Sequence, residues 1–131
     1  MDGRTSRQRS GDAAEDLVAR HLAQAGWRIL ARRLHCGRSE LDIVAVDPGP
    51  PPRLVIVEVR WRRSRAFGLP EETFDRDKRA FLRRGLGRLL EDGRLPDGEP
   101  LPRLPAAIDL IVLEPDERGR IELRHHRDAL A

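Results

Sequence analysis

The stretch "ELDIVAVDPGPPPRLVIVEVRWRR", residues 40–63, carries the strongest strand signal of the chain. Two runs rich in valine and isoleucine flank "DPGPPP", whose prolines cannot donate to a strand ladder, so the segment reads as a hairpin. Side chains alternate along a strand. Glu40, Asp42, Val44 and Val46 should then share one face, and Leu54, Ile56, Glu58, Arg60 and Arg62 one face of the next strand. A turn centred near Pro50 sets Val46 against Leu54, Val44 against Ile56, Asp42 against Glu58, and Glu40 against Arg60. Apolar side chains meet near the turn; two acids meet away from it. Opposed residues hold their Cβ atoms roughly 4.5–5.5 Å apart, where like charges destabilise the pair. A divalent cation would remove that repulsion, and Mg2+, which binds through a few carboxylates and keeps water and phosphate oxygens, suits two or three acids with basic neighbours. The competing reading leaves Asp42 and Glu58 at frayed strand ends, each paired separately with Arg38, Arg60 or Arg62. A one-residue slip would also put the acids on opposite faces.

On its N-terminal side, "WRILARRLHC", residues 27–36, reads as a strand before the hairpin. From Asp12 to Ala25, the positions Ala14, Leu17, Val18, His21, Leu22 and Ala25 recur at helical spacing, and Gly26 ends the helix. A second helix is expected from Glu71 to Asp92, carrying Phe74, Phe81, Leu82, Leu86 and Leu89. "GRLPDGEPLPRLP", residues 93–105, holds four prolines and reads as a loop. "AAIDLIVLE", residues 106–114, returns to strand, and "GRIELRHH", residues 119–126, is a weaker final one. Residues 1–10, with Arg4, Arg7 and Arg9 but no apolar periodicity, read as a flexible basic arm. Residues 11–131 form a single domain, and 131 residues suffice to bury one core.

Composition narrows the function. Hydrophobic residues are 39% and charged residues 36% of the chain, and no apolar run approaches the roughly 18 residues that would span a membrane. A soluble, cytoplasmic protein is expected. The single cysteine, Cys36, excludes an internal disulfide and a cysteine-built zinc site. Basic residues number 25 against 22 acidic, net +3, and they concentrate at Arg53, Arg60, Arg62, Arg63 and Arg65, then at Arg76, Lys78, Arg79, Arg83, Arg84 and Arg88. Such clusters suit a polyanion; the 76–88 group reads equally well as a solvated helix face. His35 beside Cys36, and His125 beside His126, lack metal-site spacing. No glycine-rich phosphate loop or serine elbow is present. Trp27 and Trp61 could stack on bases, but both lie at strand ends where core packing is the commoner use.

The motifs "GDAAEDLVARHLAQAGWRILARR", "SELDIVAVD", "LVIVEVRWRR", "FG" with a following helix containing Lys78, and "IDLIVL" together resemble the YraN-like family of small bacterial proteins. That family is similar to the restriction-endonuclease-like, PD-(D/E)xK, fold and to archaeal Holliday junction resolvases. The resemblance runs from about Gly11 to Leu113. It implies an α/β protein with a central mixed sheet flanked by helices, an α-β-β-β-α-β core, and a Mg2+- or Mn2+-dependent endonuclease centre acting on DNA, including branched or structured DNA. By analogy with the resolvases it also implies a homodimer. Asp42 and Glu58 match the two metal-binding acids of the motif, with the main-chain carbonyl of Val59 as a further ligand, and Glu15 matches a first-helix glutamate.

Arg60 stands where the motif has lysine. In the motif the lysine orients or helps deprotonate the attacking water; a guanidinium, protonated far above neutral pH, cannot easily act as that base. Arginine can still grip a phosphate oxygen and stabilise transition-state charge. Lys78 is a candidate substitute, against the plainer reading of a solvated lysine. Glu15 also fits a capping box with Asp12. Ser39 and Ala107 depart from an expected glycine and arginine. Arg38, Arg62, Arg63, Arg65 and Arg79 are the candidate DNA contacts. The alternative function is a nucleic-acid-binding module that keeps the fold and cuts weakly or not at all.

Overall fold

The computed structural model describes residues 6–66 and 68–130. Helix α1 spans Ser6–Gln24, followed by strands β1 (Arg28–Cys36), β2 (Ser39–Asp47) and β3 (Arg53–Trp61). A 3-10 turn at Pro70–Thr73 leads to α2 (Arg76–Asp92), and β4 (Ala106–Pro115) and β5 (Ile121–His126) complete the chain. The sheet runs β1-β2-β3-β4-β5. Its pairs are antiparallel except β3–β4, which is parallel. Parallel neighbours need a long crossover, and α2 lies within it.

The valine and isoleucine run of β3 is explained by its place at the centre. Leu54, Val55, Ile56 and Val57 are all fully buried, as a strand covered on both faces requires. On one face Leu54, Ile56, Ile108, Leu110 and Val112 pack with Leu82 and Leu89 of α2. On the other, Val55, Val57, Val59, Ile111 and Leu113 pack with Ala14, Val18 and Leu22 of α1. Truncating such a fully buried leucine or isoleucine to alanine costs about 2–5 kcal/mol.

The hairpin register is the expected one: Val46 faces Leu54, and Val44 faces Ile56. The facing of side chains differs. Leu41 packs in the same cluster as Val44, three residues on, while Ile43 and Ala45 pack in the other. Strict alternation therefore breaks beside Asp42, where the β2–β3 ladder also ends, at Ile43–Val57. Glu40, Asp42, Val44 and Val46 do not form one regular face.

The first helix starts at Ser6, not Asp12, so residues 6–10 of the expected basic arm are helical; residues 1–5 lie outside the described residues. No acid stands in its first turn, and Asp12 and Glu15 lie in the helix interior, which removes the capping-box reading. The second helix also starts later than expected. Pro70 and Glu71 begin a separate 3-10 turn, and Asp75 caps α2 by accepting from the Lys78 N–H at 2.9 Å. Gly93, with φ 67°, ends it in the left-handed region. β5 is a full strand, paired with β4 from Leu110–His126 to Pro115–Ile121.

Candidate functional site

Where the β2–β3 ladder stops, the Asp42 carboxylate takes over an acceptor's role: Val59 N–H donates to Asp42 Oδ2 at 2.9 Å. A short polar side chain bonding backbone in this way competes with regular pairing, which accounts for the break in β2. The next residue on the opposing strand, Glu58, is 1% exposed. Its Oε1 lies 3.1 Å from Arg60 Nη1 and 3.4 Å from Lys78 Nζ. Oε2 is buried with no donor among the described residues. A hydrogen bond between the Asp42 and Glu58 side chains exists only when one of them holds a proton.

These residues open on a cleft of about 360 Å³, lined also by Gly11, Ala14 and Glu15 of α1 and by Glu40, Val59 and Trp61. Burial pushes the Glu58 carboxyl up to about 8, the Asp42 charge adds to the rise, and Arg60 and Lys78 oppose it. Burial also raises Asp42, against the Val59 hydrogen bond and the charges of Lys78 and Arg60. Glu15 rises to about 7 through burial and then through the charge of Asp42, with Arg33 pulling the other way. Asp42 thus couples electrostatically to both glutamates.

The donor set fits a hard cation. An orphaned carboxylate oxygen, two acids whose joint ionisation is opposed by burial, and an open cleft are the conditions a divalent ion would relieve. Asp42 and Glu58 would hold it, with Glu15 across the cleft. Among the described residues no three His, Cys, Asp or Glu side chains form a ready-made metal cage. Glu15 is instead held by Arg33, whose Nε lies 3.2 Å from Glu15 Oε1 and 3.3 Å from Asp12 Oδ1. Arg33 itself adopts a left-handed backbone, φ 49°, uncommon for a residue with a side chain.

Of the basic residues singled out in the sequence, Arg60 and Lys78 enter the cleft. Arg38 is exposed in the β1–β2 turn. Arg62 and Arg63 follow β3, and Arg63 lines a neighbouring groove. Arg65 is committed to the buried Glu114, with Nη2 2.5 Å from Oε1. Arg79 donates to the Phe74 carbonyl at 3.2 Å and lies over its ring.

Three features escaped the sequence reading. Ser39 Oγ donates to the Phe81 carbonyl of α2 at 2.9 Å, and Gly85 faces it so closely that a Cβ there would come within 2.8 Å of Ser39 Cβ. Ser39 and Gly85 together seat α2 on β2, about two helical turns beyond Lys78. A second assembly joins Arg124 to Glu71 at 2.7 Å and to Glu114 at 2.7 Å. A third holds buried Asp109 between His125 Nε2, 2.8 Å away, and the Asp128 N–H. The available signal for the last two was an acid inside the apolar run "IDLIVLE".

Fold and site define an α/β protein whose five-stranded mixed sheet, with a helix on each face, opens a cleft of paired acids and two cations at the β2–β3 hairpin. No helix among the described residues is long and apolar enough to cross a membrane. The chain belongs to Uncharacterised protein family UPF0102, whose family model matches residues 14–113, in agreement with the resemblance carried by the motifs. It is 42% identical over 100 residues to the UPF0102 protein of Roseiflexus castenholzii, covering 76% of this chain and 77% of that one. The UPF0102 protein of Desulforamulus reducens is 31% identical over 125 residues, 95% of this chain and 97% of the relative. Among solved structures the chain is similar to Pyrococcus furiosus SfsA in complex with Ca2+, at 16% identity and a TM-score of 0.34, over 92% of this chain and 63% of that one.

Proposed function

We propose that this protein binds DNA and hydrolyses its phosphodiesters as a Mg2+- or Mn2+-dependent endonuclease of the restriction-endonuclease-like fold, acting on branched or structured DNA. The observation that carries the reading is the environment of Glu58: a buried carboxylate with one oxygen shared by Arg60 and Lys78, the other unpartnered, and Asp42 beside it in an open cleft. Asp42 and Glu58 would hold the metal, with Glu15 and the Val59 carbonyl completing the cleft's oxygen wall. The metal, when bound, supplies charge neutralisation at the phosphate and a more acidic water. Arg60 grips a non-bridging phosphate oxygen, for which its planar fork is suited. Lys78, which reaches the same carboxylate from α2, orients the water in place of the absent motif lysine. Homodimeric action, as in the resolvases, is part of the proposal.

A second reading is a DNA-binding module that does not cut. Arginine at position 60 favours it, because a guanidinium cannot serve as a base near neutral pH. Incubating the protein with four-way junction, duplex and single-stranded DNA, with and without Mg2+ or Mn2+, separates the two. Metal-dependent cleavage lost in Asp42→Ala and kept in Arg118→Ala, at an exposed position in the β4–β5 turn, supports the enzyme. Salt-sensitive binding without cleavage of any substrate, unaltered by Arg60→Lys, leaves the binding module.

A further inference from the structure

Next to the acidic cleft lies a smaller groove of about 210 Å³, walled by Ala13 and Leu17 of α1, Trp61 at the end of β3, Arg63 just beyond it, Leu113 of β4 and Ile121 of β5. It shares Ala14 and Trp61 with the acidic cleft, so the Trp61 ring marks the boundary between the two. Apart from Arg63, every lining side chain is apolar, and Ile121 at its rim is 45% exposed.

We propose that this groove receives one unstacked nucleobase of a nucleic acid whose phosphodiester lies in the adjoining acidic cleft. The inference rests on the nucleic-acid reading given above and names the part of the substrate that the neighbouring groove takes. A nucleotide is an apolar planar ring joined to an anion, and the two grooves present that sequence of surfaces: apolar walls with an indole, then two cations around a carboxylate pair. Neither a lipid chain nor an apolar peptide would use the Arg60 and Lys78 charges on the far side of Trp61. The groove has room for a single ring system, not a duplex. A base can therefore enter only from a bulge, a branch or a single strand, where the cost of leaving the stack is lowest. Stacking on an aromatic side chain tolerates any base, so the groove selects for an unpaired nucleotide without reading its sequence.

The test is binding of the full chain, with Ca2+ in place of Mg2+, to a duplex carrying a one-nucleotide bulge and to the same duplex with that nucleotide abasic. The protein should bind the base-bearing bulge about tenfold more tightly, within the range that stacking on an aromatic side chain gives. Ala13→Phe, at an exposed α1 position that lines this groove and not the acidic cleft, should erase the preference while leaving affinity for the abasic duplex unchanged. Ile121→Gln, on β5 and not on α1, should reduce the preference as well. Equal affinity of the unmodified protein for the two duplexes overturns the base groove and leaves the nucleic-acid reading intact. A preference that survives Ala13→Phe overturns the groove too. Absence of binding to either duplex overturns both readings.

Discussion

Lys78 Nζ lies 3.4 Å from Glu58 Oε1, so the chain's one lysine ends in the acidic cleft and not in solvent. Its partner on the same oxygen, Arg60, comes from the strand itself. If Lys78 orients the water, Lys78→Arg keeps the charge but not the adaptable ammonium, and cleavage should fall about 10²-fold or more, the scale of a positioned acid-base group. Lys78→Met should fall at least as far. Single-turnover cleavage of the preferred substrate measures both, and an unchanged rate in Lys78→Met removes Lys78 from the chemistry.

Metal binding is checked without any cleavage assay. A ligand that binds only the folded state at 100 times its Kd stabilises by about 2.7 kcal/mol. Saturating Mg2+ or Mn2+ should raise the Tm of the unmodified protein, while Asp42→Asn and Glu58→Gln should show no such rise.

Glu58 carries its own pH signature. Burial raises its folded value from the ordinary 4.5 to about 8, so the stability of the neutral form is full below about 4.5 and is lost as pH rises toward about 8. Without divalent ions, thermal melts should show the unmodified protein losing stability across that window. Glu58→Gln should lose less, and at pH 8.5 it should melt above the unmodified protein. A flat profile for both would contradict the burial of this carboxyl.

The Glu71–Arg124 pair behaves in the opposite sense. The Arg124 hydrogen bond, with His126 adding, lowers Glu71 to about 2. Its contribution is therefore present above about 4.5 and disappears as pH falls toward about 2. Arg124→Met should melt lower at pH 7 and show a shallower decline between those limits. Identical acid profiles would mean that this assembly contributes nothing to stability.

The seat of α2 gives a packing test. A Cβ on Gly85 would lie 2.8 Å from Ser39 Cβ and 3.0 Å from Leu41 Cδ2. Overpacking of this kind costs about 1–3 kcal/mol, or roughly 4 °C of Tm per kcal/mol for a chain of this size. Ser39→Gly should recover part of the loss in the double variant, although alone it forfeits the hydrogen bond to Phe81. Additive losses would show that the two residues do not share this contact.

The hairpin was legible because its apolar pairs admit one register, and Val44–Ile56 and Val46–Leu54 follow it. The break beside Asp42 was not, since it comes from a side chain displacing a ladder bond, and no periodicity carries that information. Residues 6–10, "SRQRS", hold no apolar side chain, so the start of α1 left no hydrophobic trace. The acids of the cleft were legible as charges inside an apolar run. Partners such as Arg124 and Glu71, 53 positions apart, depend on how β5 lies over the 3-10 turn, and spacing along the chain does not report it.

The sharing of Glu58 by Arg60 and Lys78 has a thermodynamic corollary. The two cations that neutralise this carboxylate are also the ones a phosphate would attract. A nucleic acid that drew them off would remove two positive charges from beside Glu58 and so raise the affinity of that carboxyl for a divalent ion. An ion arriving first would release the same two cations toward the phosphate. Linkage makes these effects equal in size, so substrate and metal would each recruit the other to the folded chain.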